Sequence, residues 1–177
     1  LRRKNMCKVV YLTARRFDEP ARKFRDALAG ELTKRKVDVV TDTAYDVLNY
    51  FRRHKTFGIA LAFDFYRDGK EGCGLTLNKN CSSIGRDFAY NLSNDLDVLT
   101  PAIHWRDFKF VNSEDKEWFK FFNKVSSTTK AIFYLCTYNN STDWDNYSVA
   151  FENIIKLFAD EIVPVSYTHL RAHETSA

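Results

Sequence analysis

The sequence has few prolines and glycines, which interrupt helices and strands, and few cysteines and histidines, which bind metals. Its 177 residues include three prolines, six glycines, four cysteines and four histidines. The cysteines have no C-x-x-C spacing and no neighbouring histidine pair, which excludes a zinc ribbon or a thioredoxin-like motif. No apolar run approaches the roughly 20 residues of a membrane span, and no secretion signal opens the chain. The sequence therefore predicts no membrane partner.

What the chain does contain is typical of a globular protein. Hydrophobic residues make up 45% and aromatic residues 15% of the sequence, enough for one domain with a sizeable core. The formal charge is +4, but the basic residues are dispersed among acidic neighbours, as on solvated helix faces. We therefore expect no nucleic-acid partner.

The last stretch, VSYTHLRAHETSA at residues 165–177, resembles the conceptual translation of a sequencing adapter read through at the end of a metagenomic fragment. We expect this tail to be an artefact. The expectation matters for chemistry, because a tempting metal pair formed by His169 and His173 disappears with it. His54 and His104 are then the native histidines.

Met6 stands immediately before the first strand pattern, so residues 1–5 are expected to be an upstream extension. Without them the formal charge falls from +4 to +1, because Arg2, Arg3 and Lys4 are no longer counted. We expect the folded domain to span residues 6–163.

Alternating strand and helix patterns predict the fold. Two short apolar runs, FGIALAFDFY at residues 57–66 and AIFYLC at residues 131–136, are rich in branched and aromatic residues, which indicates buried central strands. Alternation of the two periods around these runs favours a parallel sheet with right-handed crossovers. The predicted class is a single-domain α/β protein with an open, mostly parallel sheet, helices on both faces and one antiparallel hairpin.

The remaining elements follow from periodicity and turn signals. The hairpin is expected to join the strand at 57–66 to CGLTLN at 73–78. The first helix is expected to be capped by Asp18 and to carry one apolar stripe formed by Ala21, Phe24, Leu28 and Leu32. The polar stretch TYNNSTDWDNY is expected to be a loop. Further strands are predicted at 7–13 and 37–41, with an edge strand or ordered loop at 102–111; further helices are predicted at 44–54, from 82 or 83 to about 97, from 113, and at the end of the domain.

Asp64, Cys136 and Tyr138 lie at the carboxyl ends of the two central strands, where open α/β sheets bind ligands. Cys136 there is a candidate nucleophile of a cysteine hydrolase, activated by His104 or His54. The competing interpretation is a buried thiol that acts as a small hydrophobic residue. A reducing compartment fits the four cysteines, and a disulfide stays open.

The order of elements resembles the zinc-dependent N-acetylmuramoyl-L-alanine amidases, which cut bacterial peptidoglycan. Residues 57–66 lie where that family has a strand ending in Ser-Ile-His-x-Asn, and residues 72–77 match its following Gly-x-x-x strand. Residues 132–140 match its late strand and loop. The helix from Glu19 matches the family's first helix, which begins at a zinc-binding glutamate. The resemblance covers nearly the whole domain.

The resemblance implies a zinc ion held by two histidines and a glutamate, with water at the fourth position and a late glutamate as general base. The position of the first histidine holds Arg15 or Arg16, whose guanidinium has no lone pair for a metal. The ligand glutamate corresponds to Glu19 or to Asp18.

The second ligand histidine corresponds to Asp64, and the catalytic glutamate corresponds to Cys136. A site with carboxylates and no histidine suits zinc poorly, because zinc prefers nitrogen and sulfur ligands here. We therefore expect a catalytically lapsed amidase that needs no cofactor, or zinc if the family chemistry survives. Two alternatives stay open: an active zinc amidase with substituted ligands, and the cysteine hydrolase.

The expected partner is peptidoglycan or one of its fragments. Aromatic side chains near strand ends suit sugar binding, because loops there carry sites. The expected location is the cytoplasm or, after release by a phage, outside the cell, and no oligomeric state is predicted. The candidate ligand-binding residues are Arg16, Trp105, Tyr138 and Trp144, with Tyr147 beside them.

Overall fold

The computed structural model describes residues 9–43, 59–66, 73–78, 83–101, 109–111, 130–137 and 141–175. The predicted helices at 44–54 and from 113 lie outside these ranges. In chain order the elements are β1 (Val10–Ala14), α1 (Glu19–Lys34), β2 (Val39–Asp42), β3 (Ile59–Tyr66), β4 (Cys73–Asn78), α2 (Ser83–Leu99), β5 (Lys109–Val111), β6 (Lys130–Thr137) and α3 (Ser141–Thr175). No helix within these ranges is long and apolar enough to span a bilayer.

The strands form one six-stranded sheet in the order β2-β1-β3-β6-β4-β5. Four neighbours, β2, β1, β3 and β6, are parallel, and β5 is parallel to β4. The predicted class, a mostly parallel α/β sheet in one small domain, is confirmed. The segment at 102–111, left open as strand or loop, supplies the short edge strand β5.

The prediction that β4 pairs with β3 in a hairpin is wrong. β4 is antiparallel, as expected, but it pairs with β6, which lies between β3 and β4. The physical reason is competition for the centre of the sheet. The continuous apolar run of β6 suits burial on both faces, whereas β4 carries a glycine and an asparagine, which are depleted in strands.

Alternate residues of β1 and β3 share one hydrophobic core with the three described helices. The stripe predicted on α1 is confirmed, and Phe24 lies at its centre with no exposed surface. The Phe24 ring packs 4.9 Å from Phe63 of β3 and 5.1 Å from Phe158 of α3, measured between centroids. The opposite faces of β1 and β3 are also buried, as at Tyr11 and Ala62. Both strands are therefore central, as the sequence predicts for β3.

A polar cluster fastens the edge strand β2 to its neighbours. The Asp42 carboxylate accepts hydrogen bonds from the Tyr11 hydroxyl and, at 2.5 Å, from the Thr13 hydroxyl. The Arg25 guanidinium of α1 donates to the Asp42 carbonyl at 2.6 Å. Because Tyr11 and Thr13 are fully buried, these bonds satisfy hydroxyls that would otherwise be costly to bury.

The last helix differs from the prediction at both ends. α3 begins at Ser141, inside the stretch expected to be a loop, and continues through Pro164 to Thr175. Serine, threonine and aspartate suggest a loop, but they are also the residues that favour the first turn of a helix. Trp144 and Tyr147 therefore lie on a helix rather than in a loop. The adapter origin of residues 165–177 stays a prediction.

Carboxyl groups meet where α2 packs on α3. Glu161 of α3 is half-buried and shares a hydrogen bond with Asp95 of α2. Burial, that hydrogen bond and the negative charge of Asp95 and Asp160 together raise the pKa of Glu161 to about 7. Asp160 itself pairs with Arg35 at the end of α1. The folded protein is therefore more stable when Glu161 is protonated.

Replacing Glu161 by glutamine is expected to stabilise the protein above pH 7 by about 1–2 kcal/mol. The full shift corresponds to about 3 kcal/mol, which solvent screening of a half-buried group reduces. Because the pKa of Glu161 is raised in the folded state, protonated Glu161 contributes fully to the stability of the wild type below about pH 4.5. This contribution is lost as the pH rises to about 7. Urea denaturation between pH 5 and 8 measures the difference. Glu152→Gln is an exposed change on the same helix, and its stability should depend on pH as that of the wild type does. The same pH dependence for Glu161→Gln and the wild type would contradict the prediction.

Candidate functional site

The starts of α1 and α3 meet at the carboxyl edge of the sheet. β1 leads into α1 through a short turn, and β6 precedes α3. Since β1, β3 and β6 are parallel, both helices begin at the same edge and run back across one face. Ligands of open α/β sheets bind at this edge, so the residues there are the candidates for function.

Asp18 joins the start of α1 to the end of β3. One carboxylate oxygen, Oδ1, accepts a hydrogen bond from the Ala21 amide at 3.2 Å. The other, Oδ2, accepts from the Phe65 amide at 2.9 Å. Asp18 is 9% exposed. The predicted cap is confirmed, and both oxygens of this carboxylate already serve the backbone.

The other acidic candidates are placed apart from one another. Glu19 is exposed at the first turn of α1, and its carboxylate pairs with Lys23 at 3.3 Å. Asp64 is buried on β3, and alternation along the strand puts it on the opposite face from Phe63 and Phe65. Within the described ranges, no three His, Cys, Asp or Glu side chains are grouped to hold a metal ion.

The remaining sequence candidates are distributed as follows. Arg16 is exposed in the turn after β1, and Cys136 is the penultimate residue of β6. Trp105 and Tyr138 lie outside the described ranges, as do both histidines proposed to activate Cys136. The hypothesis of a cysteine hydrolase therefore stays a prediction.

An aromatic groove lies between the first turns of α1 and α3, with a volume of about 490 Å³. This volume is within the usual range of ligand pockets. It brings together Trp144 and Tyr147, two residues singled out in the sequence as sugar-binding candidates. The aromatic groove is lined by Pro20, Lys23, Asp26, Trp144, Tyr147, Ser148 and Phe151.

Ring contacts connect the aromatic groove to the core. Tyr147 is buried and packs edge-on against Phe65 of β3, with centroids 5.4 Å apart. Trp144, which is half-buried, lies 5.4 Å from Tyr147 at a tilt of 36°. On the other side, Tyr147 meets Phe151 edge-on at 5.9 Å. Because its aromatic wall rests on a strand, the groove is built on a rigid support.

A second, charged groove continues the first along the same pair of helices. It has a volume of about 360 Å³ and shares Phe151 with the aromatic groove. From Pro20 to Lys34 the two grooves follow α1 for about 20 Å. The charged groove is lined by Ala27, Glu31, Lys34, Phe151, Glu152, Ile155 and Lys156.

The sequence interpretation missed the contribution of α1 to this site. A sequence signal exists for the α3 side of the site, where Trp144, Tyr147, Ser148 and Phe151 share one face once the segment is treated as a helix. The α1 residues that oppose them carry no comparable signal, because their position depends on how two distant helices pack.

Comparison with known proteins gives a likeness of fold. No family model matches the sequence, and no curated protein matches it. The solved structure of the N-acetylmuramoyl-L-alanine amidase AmiC2 of Nostoc punctiforme matches 93% of this chain and 97% of its own, with 14% identity and a TM-score of 0.59. Ami1, the N-acetylmuramyl-L-alanine amidase from Mycobacterium smegmatis, matches the same shares with 11% identity and a TM-score of 0.58. The chain thus has a fold similar to that of these amidases.

Proposed function

We propose that this protein binds peptidoglycan or its fragments through the aromatic groove and does not cut them. The observation that carries the proposal is the groove itself, in which Trp144 and Tyr147 meet at the carboxyl edge of an amidase-like sheet. The likeness of fold to two peptidoglycan amidases supports the class of ligand.

The groove has the chemistry that a sugar needs. Sugar rings present apolar C–H faces bordered by hydroxyl groups, and a half-buried indole such as that of Trp144 offers a flat apolar surface to the former. Lys23, Asp26 and Ser148 lie on the rim and supply donors and acceptors for the latter. A few polar groups around an apolar wall are the usual composition of a specific pocket.

The charged groove extends the proposed site beyond one sugar ring. Its lining alternates acidic and basic side chains, Glu31 and Glu152 with Lys34 and Lys156. Such a surface suits an occupant that carries both carboxylate and ammonium groups. A wall glycopeptide meets this requirement, with its sugar at Trp144 and its peptide farther along the helices.

The carboxylates that correspond to the family's zinc ligand do not fit a zinc ion here. Both oxygens of Asp18 hold backbone amides, and Glu19 is exposed beside Lys23. Arg15 or Arg16 corresponds to the family's first histidine, and a guanidinium has no lone pair for a metal and repels a cation. We therefore propose that amide hydrolysis has lapsed.

Binding is tested by sedimentation with insoluble peptidoglycan. The wild-type chain is expected to sediment with the wall, and Trp144→Ala is expected to weaken binding about tenfold, because a central tryptophan is a typical hot spot. Tyr90→Ala is the matched control, since Tyr90 is an aromatic residue of α2 that is 57% exposed and lies outside the groove. No sedimentation of the wild type, or equal binding by Trp144→Ala, would exclude this site.

Loss of catalysis is tested on the same preparation. Purified protein incubated with zinc and passed through gel filtration is expected to retain no stoichiometric zinc by plasma mass spectrometry. It is also expected to release no soluble fragments from dye-labelled peptidoglycan. Bound zinc together with released fragments would replace this proposal by an active amidase with substituted ligands.

A further inference from the structure

The register of β4 and β6 places two cysteines opposite each other. In this antiparallel pair, Cys73 is the Cα partner of Cys136. They are far apart in sequence, at the first residue of β4 and the penultimate residue of β6. The other cysteines, Cys7 and Cys81, lie outside the described ranges.

The backbone spacing of such a pair suits a disulfide. Directly opposed residues of antiparallel strands have Cα atoms about 4.5 or 5.5 Å apart. Disulfides join residues whose Cα atoms are about 4.4–6.8 Å apart. Both possible Cα spacings lie inside that interval, so the backbone separation at this register position permits a bridge.

We propose that Cys73 and Cys136 form a reversible disulfide across β4 and β6. The thiolate of one attacks a small-molecule disulfide such as oxidised glutathione, and one glutathione thiolate leaves. The second cysteine then attacks the mixed disulfide and releases the other glutathione. The protein loses two protons and two electrons in total, and one oxidised glutathione becomes two reduced molecules.

The bond lies at the carboxyl edge of the sheet, where β6 ends before α3. Its formation closes a loop of about 60 residues and ties β4 to β6. It would also remove Cys136 as a nucleophile, so oxidation would silence any thiol chemistry at this strand end. This inference does not depend on binding of peptidoglycan.

The test uses the full chain carrying Cys7→Ser and Cys81→Ser, which leaves the proposed pair as the only thiols. After incubation with oxidised glutathione, both thiols are expected to disappear together and the intact mass to fall by two hydrogens. Dithiothreitol should restore both. The thermal midpoint of the oxidised form is expected to exceed that of the reduced form by roughly 5 °C or more. In the matched variant that also carries Cys73→Ser, Cys136 should instead retain a glutathione adduct.

Three results would overturn the proposal. In the first, both thiols of the folded chain stay reduced. In the second, each cysteine keeps its own glutathione adduct. In the third, a non-reducing gel shows a disulfide between two copies of the chain. If the double serine variant does not fold, peptide mapping of the oxidised wild type decides. A linked pair of peptides containing Cys73 and Cys136 supports the bond, and a link from either to Cys7 or Cys81 refutes it.

Discussion

Replacing Phe24 by alanine is expected to lower the free energy of unfolding by about 3–5 kcal/mol. Phe24 is fully buried, and its ring contacts rings from β3 and α3, at Phe63, Phe65, Phe151 and Phe158. Truncation leaves a cavity between a strand and two helices, which cannot all move in to fill it. Against a typical total stability of about 5–15 kcal/mol, a loss of this size brings the domain close to unfolding.

Urea denaturation measured by circular dichroism quantifies this loss. The matched control is Phe17→Ala, the same substitution seven positions earlier, where the side chain is 83% exposed. Surface changes of this kind are usually within about 0.5 kcal/mol of wild type. Phe24→Leu keeps most of the buried volume and should fall between the two. Equal effects of Phe24→Ala and Phe17→Ala would contradict the central role of the Phe24 ring.

Replacing Asp18 by alanine is expected to cost about 2–4 kcal/mol. One part is the lost cap at the start of α1, typically about 1 kcal/mol. The larger part comes from the Phe65 amide, a buried donor on β3 that Asp18 Oδ2 satisfies at 2.9 Å. A buried donor without an acceptor costs about 1–3 kcal/mol. The substitution therefore weakens both the helix and its attachment to the sheet.

Two variants separate these contributions in the same denaturation experiment. Asp18→Asn keeps one carbonyl oxygen but replaces the other oxygen by an amide donor, so it should lose roughly half as much stability. Glu19→Ala changes the neighbouring, exposed acidic residue and removes only its pair with Lys23, worth about 0.5 kcal/mol or less. If Asp18→Ala lowered the free energy of unfolding no more than Glu19→Ala does, the hydrogen bond from the Phe65 amide to Asp18 would not stabilise the fold.

Local patterns in the sequence determined most of the individual elements. The stripe of α1 and the two apolar central runs were identified correctly because periodicity records which face of an element is buried. Asp18 was identified as a cap because capping is a contact between residues three positions apart. Trp144 and Tyr147 were found as candidates because they are aromatic residues that follow a strand end, although their segment forms a helix instead of a loop.

Only the tertiary structure decided how those elements meet. The position of β6 between β3 and β4 depends on which strand gains most from burial at the centre of the sheet, and no local pattern records that competition. The bond from Asp18 to Phe65 crosses 47 positions of sequence. The aromatic groove likewise exists because α1 and α3, far apart in the chain, begin at one edge of the sheet. The sequence thus determined the residues and their faces, whereas long-range packing decided which of them share a site.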